Sequence, residues 1–305
     1  MSGKVLVVGS SNTDMVVKTS KFPQPGETVL GGTFLLNPGG KGANQAVAAA
    51  RTGAKVRFVT KVGNDIFGKQ SIEGFEKEGL DIINVVETSE FASGVALITV
   101  NENGENQIVV ASGANMDLKP IDLPDSIFED TEYVLVQLEI PLETVKYIVK
   151  KCNELQIKLI LNPAPAFPLD DDFLENIYLI TPNETETHLL TGILPDSQDS
   201  LNKAGLFFLE KGIKNVIITI GKKGVFLMND EHSQLIPAIE VKAVDTTAAG
   251  DVFNGALLTA LSEEKSWVEA CEFACKAAAI SVTRLGAQSS IPYRHELITG
   301  RLIKG

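Results

Sequence analysis

The stretch Lys4-Val-Leu-Val-Val-Gly9 is a continuous apolar run closed by a glycine. A strand with one wet face alternates apolar and polar residues, so a short unbroken run marks a strand covered on both faces, the condition of a parallel sheet. Outward from it, strand and helix patterns take turns. Ala43 to Arg51 is an alanine-rich helix stopped by Gly53, Val56 to Lys61 a strand, and Phe67 to Glu78 a helix stopped by Gly79. Further strands are expected at 133–138, 158–161, 178–181, 215–220 and 225–228, and further helices at 142–155, 246–261 and 267–283. This alternation predicts an α/β fold: a doubly wound, mostly parallel sheet with helices on both faces.

Two stretches break the rhythm. Thr13 to Leu36 holds short β-like runs separated by Pro23, Pro25 and Gly26. Gly94 to Ala111 reads as a hairpin, with Asn103-Gly104 in the turn between Val95–Val100 and Gln107–Val110. No repeat, low-complexity tract or linker divides the chain. The expectation is one α/β domain over residues 1–305, with the strands of a small β-sheet lid inserted at about 13–36 and 94–111.

Composition narrows the function classes. Hydrophobic residues make up 44% of the 305 and charged residues 22%, as in a soluble globular protein. A formal net charge of −12 repels nucleic-acid phosphates and anionic membranes, so neither is expected as a partner. Cys152, Cys271 and Cys275 are odd in number and form no C-x-x-C, which reads as buried free thiols. His188, His232 and His295 have no metal-site spacing. The chain opens Met-Ser-Gly-Lys without a signal-peptide pattern, and no apolar run is long enough to cross a bilayer. A cytoplasmic location is expected.

The segment Asp245-Thr-Thr-Ala-Ala-Gly-Asp251 carries the chemistry. Small residues Ala248, Ala249 and Gly250 precede an amphipathic helix, whose first N–H groups lack intrahelical acceptors and favour negative charge. Without side-chain bulk, those N–H groups can close on a phosphoryl oxygen as an anion hole. Asp251, in the first turn, is placed to take a proton from a hydroxyl attacking phosphorus. A carboxylate that merely complements the helix dipole is the alternative, but the full string is far more specific than a bare Gly-Asp start.

Three other segments join it. In Pro38-Gly-Gly-Lys-Gly-Ala-Asn44, Gly39 and Gly40 allow close ligand approach, Lys41 supplies a cation and Asn44 can bind hydroxyls. It is not a Walker A loop, because Lys41 is followed by glycine, and no dinucleotide fingerprint follows the first strand. Asn12 and Asp14 lie two residues apart past that strand and suit vicinal hydroxyls, although Asn-x-Asp is also a routine turn. Thr181-Pro-Asn-Glu-Thr-Glu186 sets Asn183 and Glu186 one turn apart, suited to Mg²⁺ or equally to a helix capping box. Thr219-Ile-Gly-Lys-Lys-Gly224 is a tight turn whose backbone could meet nucleotide phosphates, or a plain β-turn.

Taken together, Gly39–Val47, Thr181–Glu186 and Asp245–Gly255 resemble the signatures of the ribokinase-like (PfkB) carbohydrate kinases, in that family's order and spacing and over essentially the whole chain. The resemblance implies transfer of a phosphoryl group from ATP to the O5 hydroxyl of D-ribose, with Asp251 as base. It implies sugar contacts from Asn12, Asp14, Gly39, Gly40, Lys41, Asn44 and Glu139. The nucleotide site would be lined by Asn183, Thr219, Ile220, Gly221, Lys222, Lys223, Gly224 and Gly250. Cys275 falls near adenine, where related enzymes often place a polar residue. Glu186 would help position Mg²⁺. A monovalent cation, K⁺, would find oxygen donors at Asp245, Thr247, Ser281, Arg284, Gly286 and Ser290, with Arg284 able to serve only through its carbonyl. A homodimer through the lid is the implied assembly. Another sugar or nucleoside kinase of the same fold, and a non-catalytic sugar- or nucleotide-sensing protein, are the alternatives.

Overall fold

A computed structural model describes residues 4–298. Residues 1–3, the opening of the chain, and 299–305, the end of the expected domain, lie outside the described residues. The strands are β1 (Lys4–Val8), β2 (Asn12–Lys18), β3 (Thr33–Gly39), β4 (Lys55–Val59), β5 (Lys61–Gly63), β6 (Val86–Thr88), β7 (Gly94–Val100), β8 (Asn106–Ala111), β9 (Thr131–Val136), β10 (Lys158–Leu161), β11 (Leu179–Ile180), β12 (Asn215–Thr219), β13 (Val225–Met228) and β14 (Ser233–Ile236). The α-helices are α1 (Lys41–Thr52), α2 (Ile66–Lys77), α3 (Leu142–Glu154), α4 (Asp171–Leu174), α5 (Glu184–Thr191), α6 (Gln198–Glu210), α7 (Ala249–Ser262), α8 (Trp267–Ser281) and α9 (Arg294–Ile298).

The main sheet has eight strands in the order β14-β13-β12-β11-β10-β9-β1-β4, parallel from β4 to β12 and antiparallel at β13 and β14. Its unbroken apolar runs are explained by two-sided burial. Along β1, Val5 and Val7 enter one core with α1, α7 and α8, while Leu6 and Val8 enter a second core with α3 and α6. The same period-two division places Leu135 and Ile160 in the first core and Val134, Val136, Leu159 and Leu161 in the second. Chain order reverses between β1 and β9, and it is outside the carboxyl ends of strands at such a switch point that open α/β sheets bind ligands.

The interrupting stretches form their own four-stranded sheet, in the order β3-β2-β7-β8. β2 pairs antiparallel with β3, opposing Asn12 to Gly39, and parallel with β7, opposing Asn12 to Gly94. One departure from expectation lies between them in sequence. The strand expected at 56–61 ends at Val59, and Lys61–Gly63 instead pairs with Val86–Thr88 in a two-stranded sheet.

Helices α1 and α7 touch closely because their facing residues are small. A Cβ on Gly255 would come within 2.5 Å of both Ala48 Cβ and the Gln45 carbonyl oxygen. Further along, the hydroxyls of Thr52 and Thr259 meet at 2.8 Å. The far end of α1 is tied down by arginine. Arg51 grips the Glu78 carboxylate with two nitrogens and donates to the carbonyls of Gln288 and Ile291. The buried Lys61 ammonium lies 2.8 Å from Asp117 and 2.9 Å from Asp122, holding the 3₁₀ turn Gly113–Asp117 against β5. Buried pairs of this kind are better evidence for positioning than for stability.

Candidate active site

The expected helix at 246–261 begins at Ala249, three residues late. Ala248 takes φ 59°, a left-handed conformation that costs a residue with a Cβ about 1 kcal/mol or more. The N–H groups of Val244 and Asp245 donate to the Val282 carbonyl and fix the approach to this turn. Of the three N–H groups expected to form an anion hole, that of Ala249 donates to the Thr246 carbonyl at 3.2 Å. Those of Ala248 and Gly250 have no acceptor among the described residues, and no neighbour lies within 4 Å of where a Gly250 Cβ would stand. Beside them Asp251 is 7% exposed. Its Oδ2 accepts from Asn44 Nδ2 at 3.0 Å and its Oδ1 from Gln45 Nε2 at 2.9 Å, so α1 fixes both oxygens.

The residues expected to hold sugar converge on the same place. Asn12 and Asp14 are the first and third residues of β2, and Gly39, opposite Asn12, closes β3. Gly40 has φ 87°, and a Cβ there would fall 2.7 Å from the Asn12 nitrogen, so only glycine lets α1 start here. Glu139 emerges after β9, and its Oε2 accepts from the Ser10 hydroxyl at 2.5 Å and the Lys41 N–H at 3.0 Å. The Asn44 Oδ1 atom is buried with no hydrogen-bond partner among the described residues, an acceptor aimed at a donor the chain does not supply.

Charge reinforces the picture. Burial, with Glu139 and Asp251 adding, pushes the Asp14 carboxyl up to about 6. Burial opposes the Lys41 ammonium, but Asp251, Glu139 and Glu186 outweigh it and raise its pKa. One buried cation thus stands within electrostatic reach of several carboxylates.

On the expected nucleotide side, Asn183 and Glu186 form a reciprocal capping box at the start of α5. Asn183 Oδ1 accepts from the Glu186 N–H, and Glu186 accepts from the Asn183 N–H and Nδ2. The cap is therefore present, and Glu186 spends a hydrogen bond from each oxygen on it. Its carboxyl is raised by burial, against the pull of Asn183 and Lys41, and it stays within electrostatic reach of Asp251. The turn at 219–224 is closed internally, by Ile220 N–H to the Gly224 carbonyl at 2.9 Å and Lys223 N–H to the Ile220 carbonyl. Thr219 bridges to Asn183, joining the two segments. Gly221, Lys222 and Lys223 are exposed, whereas the Ile220 side chain is core and only its backbone faces the turn. Cys275 is buried on α8 in the first core, its thiol pushed up to about 12 by burial first and then by Glu272.

The residues expected around a monovalent cation are brought together in part. Asp245 Oδ1 accepts from the Thr247 N–H and Oδ2 from the Gly286 N–H, both at 2.9 Å. Burial would raise the Asp245 carboxyl, but hydrogen bonds from Thr247 and Gly286 hold it below its ordinary value. Ser281 donates to Ala278 and Ser290 to Ala287, leaving oxygen lone pairs on both. The Arg284 guanidinium pairs with Glu296. Among the described residues, no group of three or more His, Cys, Asp or Glu could hold a metal ion.

Sequence reasoning missed a buried layer behind the site. Asn115, 2% exposed, accepts from the Ser11 N–H and donates to the Ser11 carbonyl and to Asn12 Oδ1 at 2.7 Å. A Cβ on Gly94 would overlap this pair. Gln45, Gln137, Asn162 and Thr181 continue the layer under Asp251. A signal existed: Gln137, Asn162 and Thr181 each follow an apolar strand directly, at its carboxyl end.

Known proteins resemble this chain over nearly its whole length. The family model of pfkB family carbohydrate kinases matches residues 2–294. The chain belongs to that family. It is 46% identical over 300 residues to the ribokinase of Haemophilus influenzae, with 98% of each chain covered. A deoxyribokinase of Salmonella typhi is 39% identical over 292 residues, 94% of this chain and 95% of its own. The structure of Arabidopsis thaliana ribokinase complexed with ribose and ATP matches with a TM-score of 0.91 at 32% identity, covering 98% of both chains. As a member of the PfkB carbohydrate kinases, this chain is a phosphotransferase that uses ATP.

Proposed function

We propose that this chain transfers the γ-phosphoryl group of ATP to the O5 hydroxyl of D-ribose, with Asp251 as the general base. The observation that carries the reading is the meeting of α1 and α7. There the Asp251 carboxylate, held by Asn44 and Gln45, stands beside the unpartnered N–H groups of Ala248 and Gly250. A sensing protein has no use for a fixed carboxylate against an anion hole. Ribose is favoured as acceptor by the ribokinase relatives and by the cluster of Asn12, Asp14, Lys41 and Asn44.

Phosphoryl transfer is mainly positioning and charge stabilisation. Asn12, Asp14, Glu139 and the orphan Asn44 Oδ1 would orient the sugar hydroxyls. Asp251 takes the O5 proton as that oxygen attacks phosphorus, and the Ala248 and Gly250 N–H groups stabilise the phosphoryl oxygens. The turn at Gly221–Gly224 and Asn183 would hold the nucleotide. A Mg²⁺ ion would neutralise phosphate charge. Glu186 fits a role toward the ion's water shell rather than direct ligation, since both its oxygens already accept hydrogen bonds, and Mg²⁺ commonly relies on waters and substrate phosphates. A K⁺ ion would sit between the loops that Asp245 ties together, with carbonyl and hydroxyl oxygens from Thr247, Ser281, Arg284, Gly286 and Ser290.

The small sheet would serve as a lid that excludes water, and it would pair two copies of the chain. Phe34, Leu97, Ile108, Val109 and Val110 are all exposed on it. Sedimentation velocity of the full chain, set against an Ile108→Glu variant, tests the dimer.

A second acceptor, 2-deoxyribose, is favoured by the 39% identity to a deoxyribokinase. A coupled ADP-release screen over ribose, 2-deoxyribose, fructose and adenosine, with and without K⁺, tests the assignment. Turnover on ribose that exceeds the others is the expected result. Turnover on a nucleoside alone would overturn the substrate and leave the fold untouched.

A further inference from the structure

Gln45 is wholly buried and makes three polar contacts at the back of the site. Its Nε2 donates to Asp251 Oδ1 and to Asn162 Oδ1, each at 2.9 Å, and its Oε1 accepts from Gln137 Nε2 at 2.6 Å. Asn162 donates in turn to the Thr181 carbonyl at 3.1 Å, and the Thr181 hydroxyl donates to Asn254 Oδ1 at 2.6 Å. Asn254, on α7 one turn past Gly250, donates back to the Gly250 carbonyl at 2.9 Å. The carboxyl ends of β9, β10 and β11 are thus linked through amides and a hydroxyl to the turn carrying both the base and the anion hole.

We infer that Gln45 is a positioning residue for Asp251: its amide fixes the carboxylate's orientation toward the attacking hydroxyl without itself touching substrate. Direction supports this. All the acceptors on the Asp251 side of the amide are oxygens, so the amide can offer only its nitrogen there, and Gln137 locks the other end by donating to Oε1. The arrangement is also sterically committed, since a Cβ on Gly9 would fall 2.1 Å from Gln137 Oε1. Asn44 holds the other Asp251 oxygen and keeps a buried Oδ1 without a partner, free to accept from a sugar hydroxyl, whereas every polar atom of the Gln45 amide is spent inside the protein. The two neighbours therefore divide the work: Asn44 couples base to substrate, and Gln45 couples base to scaffold.

This inference rests on Asp251 being the base, and the test separates the two. Gln45→Met keeps the volume and removes the amide. Misplacing a reacting group slightly costs one to two orders of magnitude, so kcat should fall about 10- to 100-fold while KM for sugar and ATP moves less than about 3-fold. The decisive readout is a double-mutant cycle with Asp251→Asn. If Gln45 acts through Asp251, Gln45→Met should cost less than about 2-fold in the Asp251→Asn background. Equal losses in both backgrounds, or an unchanged kcat in Gln45→Met alone, overturn the proposal and leave the functional reading standing. Wild-type protein without ATP-dependent turnover on any sugar overturns both. Should Gln45→Met fail to fold, Gln45→Glu still accepts from Gln137 but opposes Asp251 with an acceptor. It should lose at least as much kcat, with the same silence in the Asp251→Asn background, and the same outcomes overturn the proposal.

Discussion

Gly39 lies so close to Asp14 that a Cβ added to it would stand 2.3 Å from Oδ1 and 2.4 Å from Oδ2 of that carboxylate. The contact crosses the β2–β3 ladder, where Asn12 opposes Gly39, so relieving it means moving either a strand or Asp14 itself. Gly39→Ala should raise KM for the sugar at least about 10-fold and leave kcat within a few-fold, the pattern of lost ground-state contacts. Steady-state kinetics with saturating ATP reads both values. An unchanged KM would mean that Asp14 does not hold the acceptor.

Asp14 also makes a prediction about pH. Its carboxyl is pushed up to about 6 in the folded chain, from an ordinary value of 3.8, by burial first and then by Glu139 and Asp251. The folded state therefore binds this proton more tightly than the unfolded state. Its contribution to stability is present below about pH 4 and is lost as pH rises through about 6. Asp14→Asn should be more stable than wild type at pH 7, by at most about 3 kcal/mol, with the gap closing toward pH 4. Urea unfolding across that range measures the gap. Sugar affinity should run the other way, since only the ionised Asp14 accepts freely from hydroxyls, and wild-type affinity should weaken below about pH 6.

Asp251→Asn should lower kcat by about 100-fold or more, the scale of losing a general base, while sugar binding largely survives. Calorimetric titration of the sugar alongside single-turnover phosphorylation separates the two. Near-normal turnover in this variant would remove Asp251 from its role.

Asp245 ties the Thr247 and Gly286 loops together with one oxygen each. If a monovalent cation sits there, wild-type turnover should rise several-fold between no added K⁺ and a saturating level. Asp245→Ala should be slow and insensitive to K⁺. Equal K⁺ responses in the two proteins would place the cation elsewhere or nowhere.

Much of the architecture was legible because burial writes directly into strand sequence. The runs at 158–161 and 225–228 end where the structure ends them, since apolar residues stop when the strand leaves the core. The start of α7 was not legible. Nothing local in Thr246-Thr-Ala-Ala stops a helix from beginning there, and the left-handed turn at Ala248 accompanies hydrogen bonds to Val282, more than thirty residues away. Paired strands as short as β5 and β6 carry too few residues to show a period. At the site, the residues expected to face ligands fall in compact segments, whereas Asn115, Gln137 and Asn162 act across about a hundred positions of sequence, and only the place of Gln137 and Asn162 just past an apolar strand hints at them.

The close contact of α1 with α7 has a consequence for how such an enzyme can change. In the proposed reaction one helix presents ligands for the acceptor and the other the base, and Gly255 against Ala48 sets how far apart the two helices stand. The distance between the proposed base and the acceptor it would deprotonate is thus gauged by the thickness of a methyl group. A cover over the site can open or close without altering that gauge. A lineage could exchange sugars by editing the strands above while leaving this spacing alone. Any enlargement at Gly255 would need a matching reduction on the facing helix in the same step, so this contact is where drift should be slowest.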